Sequence, residues 1–318
     1  MSDNPELKWH AVLETNRGCP YACTFCDWGS ATYSKVKKFT DDRVLQEIKW
    51  FGRVHVEFVF IADANYGIFP KRDKEIAQAM AEVRATYGYP KQICATWQKN
   101  SQVESIEIAK ILGSRGFTVS AQSMNHDTLV AIKRSNMKVN NLKEILEYCQ
   151  KEKIPTYTDL ILGLPEETLE TWKKGIFSLL DYGQHDMLAI YMAQLLENAE
   201  LTEQRDLYKL KAVQVDNWGA YYFDPNNNLD PVRETHWVVN ETNTMPFEDT
   251  VECYMFSWMI TTFHSVGYTQ LVSRYLNNKN LVSYVEFYNI LDQYIKNSNQ
   301  LINKEYLRVK EAVTNFLK

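Results

Sequence analysis

Apolar residues fall into two alternating rhythms along the first two thirds of the chain. Short runs, Ala11–Asn16, Val54–Ile61, Gln92–Trp97, Phe117–Gln122, Thr156–Leu162 and Met187–Ala193, read as strands. Several are nearly continuous in apolar residues, as strands covered on both faces tend to be. Between them, apolar residues recur every three or four positions, the period of an amphipathic helix. Val44, Leu45, Ile48 and Phe51 follow Asp41 or Asp42 as cap and close at Gly52. Ile76, Ala77, Met80 and Val83 follow Asp73, and Leu142, Ile145, Leu146 and Cys149 follow Asn141. Ser101 and Glu104 have capping-box spacing ahead of Ile106, Ile108 and Leu112, with Gly113 as the stop. Glu166 and Glu167 suit the positive end of a helix through Leu169, Trp172, Ile176 and Leu180 to Gly183.

Strands alternating with helices predict a parallel sheet with right-handed crossovers. We read an α/β fold: a partial (β/α)6 TIM-like barrel over residues 1–200, with an open doubly wound sheet as the other arrangement. In both, chemistry belongs at the C-terminal edge of the strands. After residue 200 the rhythm changes. Trp218, Tyr221, Tyr222, Phe223, Trp237 and Tyr254 enrich the region in aromatics, and Asp224–Asn228 reads as a turn. Val251–His264 and Leu281–Lys318 read as helices. The expectation is a mostly helical C-terminal extension over residues 201–318, which either covers the barrel mouth and shapes a substrate pocket or completes the core.

Composition narrows the field. The chain has 318 residues, 45% hydrophobic and 24% charged, which excludes a disordered polymer. No run approaches the length of apolar residues that a membrane span requires. Met1–Glu6 carries no signal-peptide pattern. A cytoplasmic protein without a membrane partner is expected. The net charge of −5 argues against a nucleic-acid partner, and Lys35, Lys37 and Lys38 read as solvated surface. Of six cysteines, Cys94, Cys149 and Cys253 are scattered and read as buried small hydrophobes.

The other three, Cys19, Cys23 and Cys26, crowd into the segment that follows the first strand. Their Cys-x3-Cys-x2-Cys spacing lets one short loop present three thiolates to one inorganic centre. Three thiolates on a four-iron cluster leave one iron open for a small molecule, whereas an electron-transfer cluster normally has four protein ligands. Gly18 permits unusual backbone at the loop entrance and Pro20 stiffens it. Zinc is the competing occupant, in a non-catalytic metal-binding module, with His10, His55 or Cys94 as fourth ligand. A disulfide would leave one thiol over.

The string Leu13–Gly29 resembles the radical S-adenosylmethionine (radical SAM) signature, Cys-x3-Cys-x-aromatic-Cys, with Phe25 as the aromatic. It is most similar to the radical SAM module of members that carry a cobalamin-binding domain. Ile61–Gly67, Val119–Ser123 and Thr158–Thr168 follow in the family's order, the last with Glu166 where the Gly-Leu-Pro-Gly-Glu-Thr pattern has its second Gly. The resemblance implies a [4Fe–4S] cluster on Cys19, Cys23 and Cys26, and SAM as second cofactor. It further implies reductive cleavage of SAM to methionine and a 5′-deoxyadenosyl radical, for hydrogen abstraction from, or methylation or rearrangement of, a small-molecule or peptide substrate. An electron donor such as flavodoxin or ferredoxin is implied. Asp63 and Asn65 are expected to contact SAM, as are Gln122, Ser123 and Asp159.

No Asp-x-His-x-x-Gly cobalamin motif is present, and Leu195–Leu201 stands where many members have a Leu-Pro-Gly-Thr type segment. Cobalamin use therefore implies a piece of a longer methyltransferase, or a separate cobalamin-binding partner; a stand-alone descendant is the third arrangement. Among other residues, Lys99 reads as a surface lysine, with carboxylate binding as its alternative. Arg17 reads as a cluster-tuning charge or a salt-bridge partner, with Asp159 as one possible mate. Tyr191 and Gln194 are pocket candidates. His126, His185, His236 and His264 lack paired spacing and read as structural. Gly113–Gly116 reads as a helix stop followed by strand entry.

Overall fold

The computed structural model describes residues 7–31, 35–100, 103–216 and 234–318. In chain order the first elements are β1 (His10–Leu13), β2 (Asn16–Arg17), α1 (Trp28–Ala31), β3 (Lys37–Lys38), α2 (Asp41–Arg53), β4 (Phe58–Tyr66) and α3 (Pro70–Tyr87). Then come β5 (Gln92–Trp97), α4 (Val103–Leu112), β6 (Phe117–Thr118), α5 (His126–Ala131), α6 (Val139–Lys151), β7 (Thr156–Leu162), α7 (Leu169–Asp181) and β8 (Met187–Met192). The remainder comprises α8 (Glu200–Glu203), β9 (Lys211–Asp216), β10 (Thr235–Glu241), α9 (Phe247–Ile260), a π-turn (Thr261–Ser265), α10 (Gln270–Asn278), α11 (Tyr284–Asn297) and α12 (Leu301–Phe316).

The barrel strands form two parallel three-stranded sheets, β1-β4-β5 and β6-β7-β8. They meet between β5 and β6, where the Trp97 and Phe117 rings pack at a tilt of 31° with centroids 5.0 Å apart. This is the α/β partial barrel expected from the alternating pattern. Val59, Ile61, Ile93, Leu160, Leu162 and Leu188 are buried under the helices. On the alternate positions of β7, Asp159 and Ile161 line a cavity instead.

Several boundaries differ from the sequence expectation, each for a local reason. The first strand ends at Leu13; Asn16 and Arg17 pair instead with Lys38 and Lys37. Helix α2 starts at Asp41 with Thr40 in the N-cap position and runs through Gly52 to Arg53, so the next strand starts only at Phe58. That strand continues past Ile61 to Tyr66 because Asp63 and Asn65 find partners in the loop that carries the cysteines. Asp73 lies inside α3 rather than ahead of it, with its carboxylate accepting from Gly67 N (2.9 Å) and Phe69 N (3.0 Å). Asn141 likewise falls within α6. The fourth barrel strand keeps only Phe117–Thr118 as ladder and rejoins β7 at a single bridge, Gln122–Leu160. Ser101, Trp218, Tyr221–Phe223 and Asp224–Asn228 lie outside the described residues.

Beyond residue 200, β9 and β10 pair antiparallel as a separate two-stranded sheet, and β10 meets the segment that follows β8: Val239 N donates to Ala193 O (2.8 Å) and Leu195 N to Trp237 O (2.9 Å). Helix α9 packs on α7 through Phe177 and Phe256, and Trp172 Nε1 donates to Ser257 Oγ at 2.9 Å. One apolar core runs from Leu13 through Met259, Tyr288 and Val313 to Leu317. Residues before and after position 200 thus share one apolar core.

Candidate functional site

The cysteine loop leaves β2 at Gly18, whose φ of 107° is open to glycine at little cost. It is fixed from below by Asp63. One carboxylate oxygen accepts from Thr15 N (2.6 Å) and Asn16 N (3.2 Å); the other accepts from Asn16 Nδ2 (2.6 Å) and the Thr15 hydroxyl. Asp63 is fully buried. Burial pushes its carboxyl above the ordinary range against the pull of these donors and of nearby Arg72. Arg72 spans the same corner, donating to Thr15 O (3.2 Å) and Phe39 O (2.9 Å). Further along the loop, Thr24 N donates to Ile132 O (3.1 Å) and receives Leu201 N at its carbonyl (2.8 Å). The loop is therefore tied to β4, to the end of α5 and to the start of α8.

Cys19, Cys23 and Cys26 open onto one cavity of about 150 Å³, lined also by Phe25, Asn65, Gln122 and Tyr21. Asn65 Nδ2 lies 3.2 Å from Cys19 Sγ. Burial, with the neighbouring thiols and Asp27, raises the Cys26 thiol above its ordinary value. Two buried cations complete the lining. Lys99 is 8% exposed and Arg134 9%. The Lys99 ammonium sits 3.7 Å from the Tyr21 ring centroid, a cation–π contact. Arg134 Nη1 is 4.0 Å from Cys23 Sγ, while its Nε donates to Asn136 Oδ1 (3.1 Å) and its Nη2 to Ser120 O. Burial lowers both cations from their usual values, and the charge of Cys23 works against that lowering.

Across the seam, Gln122 stands at φ 65° and joins β7 through its backbone, donating to Asp159 O and accepting from Ile161 N, both 2.8 Å. Asp159 accepts from Ser120 Oγ (2.8 Å), and burial raises its carboxyl against Ser120 and Arg134. Phe25, Gln122, Asp159, Tyr191 and Gln194 line a second cavity of about 380 Å³. It shares Phe25 and Gln122 with the first.

Of the sequence-derived site residues, the structure brings Cys19, Cys23, Cys26, Phe25, Asn65 and Gln122 together and sets Asp159 next door. Asp63 and Ser123 do not line either cavity. Asp63 holds the loop backbone as described. Ser123 Oγ donates to buried Glu167 (2.5 Å) and accepts from Asn125 N (3.0 Å). Arg17 pairs with Glu14 at the surface, not with Asp159. Lys99 is no surface lysine: it is turned into the cavity. Arg134 was not singled out by any spacing; its only sequence signal is a cation in an otherwise polar stretch one helix beyond Gln122. Glu166, at the position of the family's glycine, adopts φ 61°. Asn125 holds its carbonyl (2.8 Å) and Asn243 its carboxylate (3.0 Å), offsetting the left-handed strain.

Two histidines that lack sequence spacing meet in space. His185 Nδ1 and His264 Nε2 lie 3.1 Å apart, and His264 Nδ1 is 2.7 Å from Tyr288 OH. Burial pulls His185 down to about 4 and His264 to about 3, so both are neutral near pH 7.

The donor set fits a thiolate-bound cluster. All six cysteines are free of disulfides. The cavity lining holds three thiols, no histidine and no fourth cysteine, with two cations to balance thiolate charge. Among the described residues no three His, Cys, Asp or Glu side chains converge to grip a single metal ion. A parallel half-open barrel with three thiols at the C-terminal edge of its strands defines a class: a barrel enzyme that does its chemistry with an inorganic cluster.

Comparison with known proteins narrows the class. The radical SAM superfamily model matches residues 13–176, and the chain belongs to that family. It is 39% identical to the cobalamin-dependent radical SAM methyltransferase TokK of Streptomyces tokunonensis, over 98% of this chain and 46% of TokK. It is 37% identical to a 2-(S-pantetheinyl)-carbapenam-3-carboxylate methyltransferase of Streptantibioticus cattleyicolor, again over 98% of this chain and 46% of the relative. The chain thus spans about half the length of these curated relatives. Among solved structures, the radical SAM methyltransferase TsrM of Kitasatospora setae superposes with a TM-score of 0.57 at 13% identity, over 77% of this chain and 51% of TsrM, a likeness of fold. The protein is a radical SAM enzyme with a [4Fe–4S] cluster and SAM as cofactors. Among the described residues no helix is long and apolar enough to cross a membrane.

Proposed function

We propose that this chain carries the radical half of a cobalamin-linked SAM methyl transfer to a small molecule. The cluster, when bound, supplies an electron to the SAM sulfonium and so breaks a C–S bond, as radical SAM chemistry requires. The chain's own residues do the rest. Cys19, Cys23 and Cys26 hold the cluster and leave one iron open. Asn65 positions the Cys19 side. Arg134 and Lys99 are the cations available for the SAM carboxylate, buried where a charge-assisted hydrogen bond is strong. Gln122 and Asp159 reach the ribose side, and Phe25 walls the adenosyl group from water. Asp63 and Ser123 act by positioning: one locks the cysteine loop, the other the loop after Gln122. The substrate enters the second cavity, beside Asp159, Tyr191 and Gln194. In this reading residues 1–200 carry the cofactor chemistry and residues 201–318 shape the substrate side.

The observation that carries the reading is the placement of three thiols and two buried cations in one cavity at the strand ends. Methyl transfer rests on the relatives over almost the whole chain. Cobalamin would come from polypeptide beyond this sequence or from a separate binding partner. The electron would come from a flavodoxin- or ferredoxin-like donor, and thiols free of disulfides suit a cytoplasmic setting. The test is anaerobic. Reconstituted protein given SAM and a strong reductant is expected to form 5′-deoxyadenosine, and a variant with Cys19, Cys23 and Cys26 changed to Ala is expected to form none. A brown, cluster-loaded wild-type protein that leaves SAM intact would overturn the reading.

A further inference from the structure

The three cysteine sulfurs have the same chemistry but different surroundings, and at each of them the difference includes an N–H group. Asn65, at the end of β4 and 5% exposed, aims its amide at Cys19, with Nδ2 at 3.2 Å from Sγ. Arg134, just past α5, brings Nη1 to 4.0 Å from Cys23 Sγ. Cys26 accepts a hydrogen bond from the backbone of Trp28, the first residue of α1, and that bond favours its thiolate. Each sulfur thus has a donor, and the donors come from three separate parts of the fold.

All three donors are held in place by the protein itself. Asn65 follows Asp63 by two residues on β4, and Asp63 is tied to Thr15 and Asn16 beneath the loop. The Arg134 guanidinium is fixed at Nε by Asn136 Oδ1 (3.1 Å) and at Nη2 by Ser120 O. Trp28 is placed by its neighbour: a Cβ at position 29 would collide with the Tyr21 carbonyl oxygen, so glycine there lets α1 close against the cysteine loop. Sulfur is a weaker acceptor than oxygen. Two buried side chains directed at sulfur therefore add little to folding, and their placement calls for another role.

We propose that Asn65 and Arg134 set the reduction potential of the cluster, raising it through hydrogen bonds to Cys19 and Cys23. The proposal rests on the functional reading above and deepens it. When the oxidised cluster takes one electron from a reductant, the cluster and its sulfurs become more negative. An N–H donor or a cation at a sulfur stabilises that reduced form more than the oxidised one. Net charge and hydrogen bonds to the sulfurs are among the levers that place such potentials. Burial strengthens both, because little water screens them. Asn65 acts through a dipole at the shorter distance. Arg134 acts through a full charge, and charge-assisted hydrogen bonds are the stronger kind. Both act through the sulfurs, as positioning residues, and their effect is in place before SAM binds.

The test is a potentiometric titration of the anaerobic, cluster-loaded chain without SAM, with the reduced cluster counted by electron paramagnetic resonance. Asn65→Leu keeps the side chain's size and removes the donor. At the wild-type midpoint, its ratio of reduced to oxidised cluster is expected to fall at least tenfold, which for one electron is a midpoint lower by about 59 mV. Arg134→Gln is expected to fall at least as far. The exposed Leu307→Ala is expected to stay within twofold of wild type. A ratio within twofold of wild type in either Asn65→Leu or Arg134→Gln, at wild-type iron content, would overturn the proposal. If a variant takes up no iron, the intact protein decides. With isotope-labelled asparagine, and separately arginine, pulsed spectra of the reduced wild-type cluster are expected to show a coupled side-chain nitrogen from each; absence of either coupling would overturn the proposal. Wild-type protein that loads its cluster and leaves SAM intact would sink the functional reading alone. Wild-type protein that loads no cluster on Cys19, Cys23 and Cys26 would sink both.

Discussion

The two halves of the barrel are built differently. In the first, β1-β4-β5, the β1–β4 register runs unbroken from His10–Phe58 to Leu13–Ile61, the β4–β5 register shifts between Ile61 and Tyr66, and the buried polar side chains at the strand ends are spent on the cysteine loop. In the second, β6-β7-β8, the leading strand is two residues long, Gln122 sits in left-handed backbone, and Asp159 keeps one face toward a cavity. The first half is a clamp and the second a receptor. The contrast places the polar anchors of the cysteine loop on one side and a second cavity on the other, where exchangeable ligands come and go.

The largest expected effect breaks the clamp chemically. Changing any one of Cys19, Cys23 or Cys26 to Ala is expected to abolish the iron–sulfur absorbance and SAM cleavage together, while far-ultraviolet circular dichroism stays at the wild-type level. Retained iron in a single-cysteine variant would place the cluster elsewhere.

Asp63→Ala tests the clamp mechanically. It strands the Thr15 and Asn16 donors in a buried corner, at a cost of about 3 kcal/mol or more. Urea unfolding of the apo-protein should show it, and iron retention on dilution should fall in parallel. Stability within about 0.5 kcal/mol of wild type would show that the corner is not strained by the loss.

Acid should act on the receptor half through its histidines. A base whose folded value is depressed leaves the native state unprotonated while the unfolded chain takes up the proton. Stability is then intact above about pH 6.5 and falls as pH drops toward the folded value, by ~1.4 kcal/mol per pH unit for one such group. For buried His264 the window extends down to about pH 3, and His185 adds in the same sense down to about 4. Asp73 opposes them. Burial lifts its carboxyl to about 6, so its native state gains protons and stability as pH falls from 6 toward 3.8. The difference between wild type and His264→Gln removes that contribution. The variant should lose stability less steeply between pH 6 and 4 in thermal melts; parallel curves would contradict the neutral pair.

The smallest effect sharpens the division of labour at Gln122. Glycine accepts a φ of 65° without strain. Gln122→Gly should therefore fold within about 1 kcal/mol of wild type, yet raise the KM for SAM about tenfold or more by losing the side-chain contact. Unchanged KM would remove Gln122 from the SAM site.

Much of the clamp was legible in the sequence, because its signals are local. Cysteine spacing, the glycine ahead of Cys19 and the apolar run of β4 all sit within short windows. The strand limits of β5 and β7 were legible for the same reason. The receptor half was harder to read. Phe117–Gln122 has strand composition, yet only two residues ladder, since Ser120 and Gln122 turn their polar groups toward Asp159 and the cavity. Arg134 and Lys99 look like surface cations in one dimension; only the fold brings them under the cysteine loop. His185 and His264 lie 79 residues apart in sequence, and no periodicity joins a strand-entry loop to a π-turn.

The central claim is that the cluster on Cys19, Cys23 and Cys26 keeps one iron open for SAM within the cavity bounded by Arg134 and Gln122. It is tested most directly by electron paramagnetic resonance of the anaerobically reduced protein, recorded with and without SAM. The account predicts that SAM shifts the g values of the reduced cluster in wild type, and that Arg134→Gln needs at least tenfold more SAM for the same shift. A reduced-cluster spectrum that is identical with and without saturating SAM would contradict it.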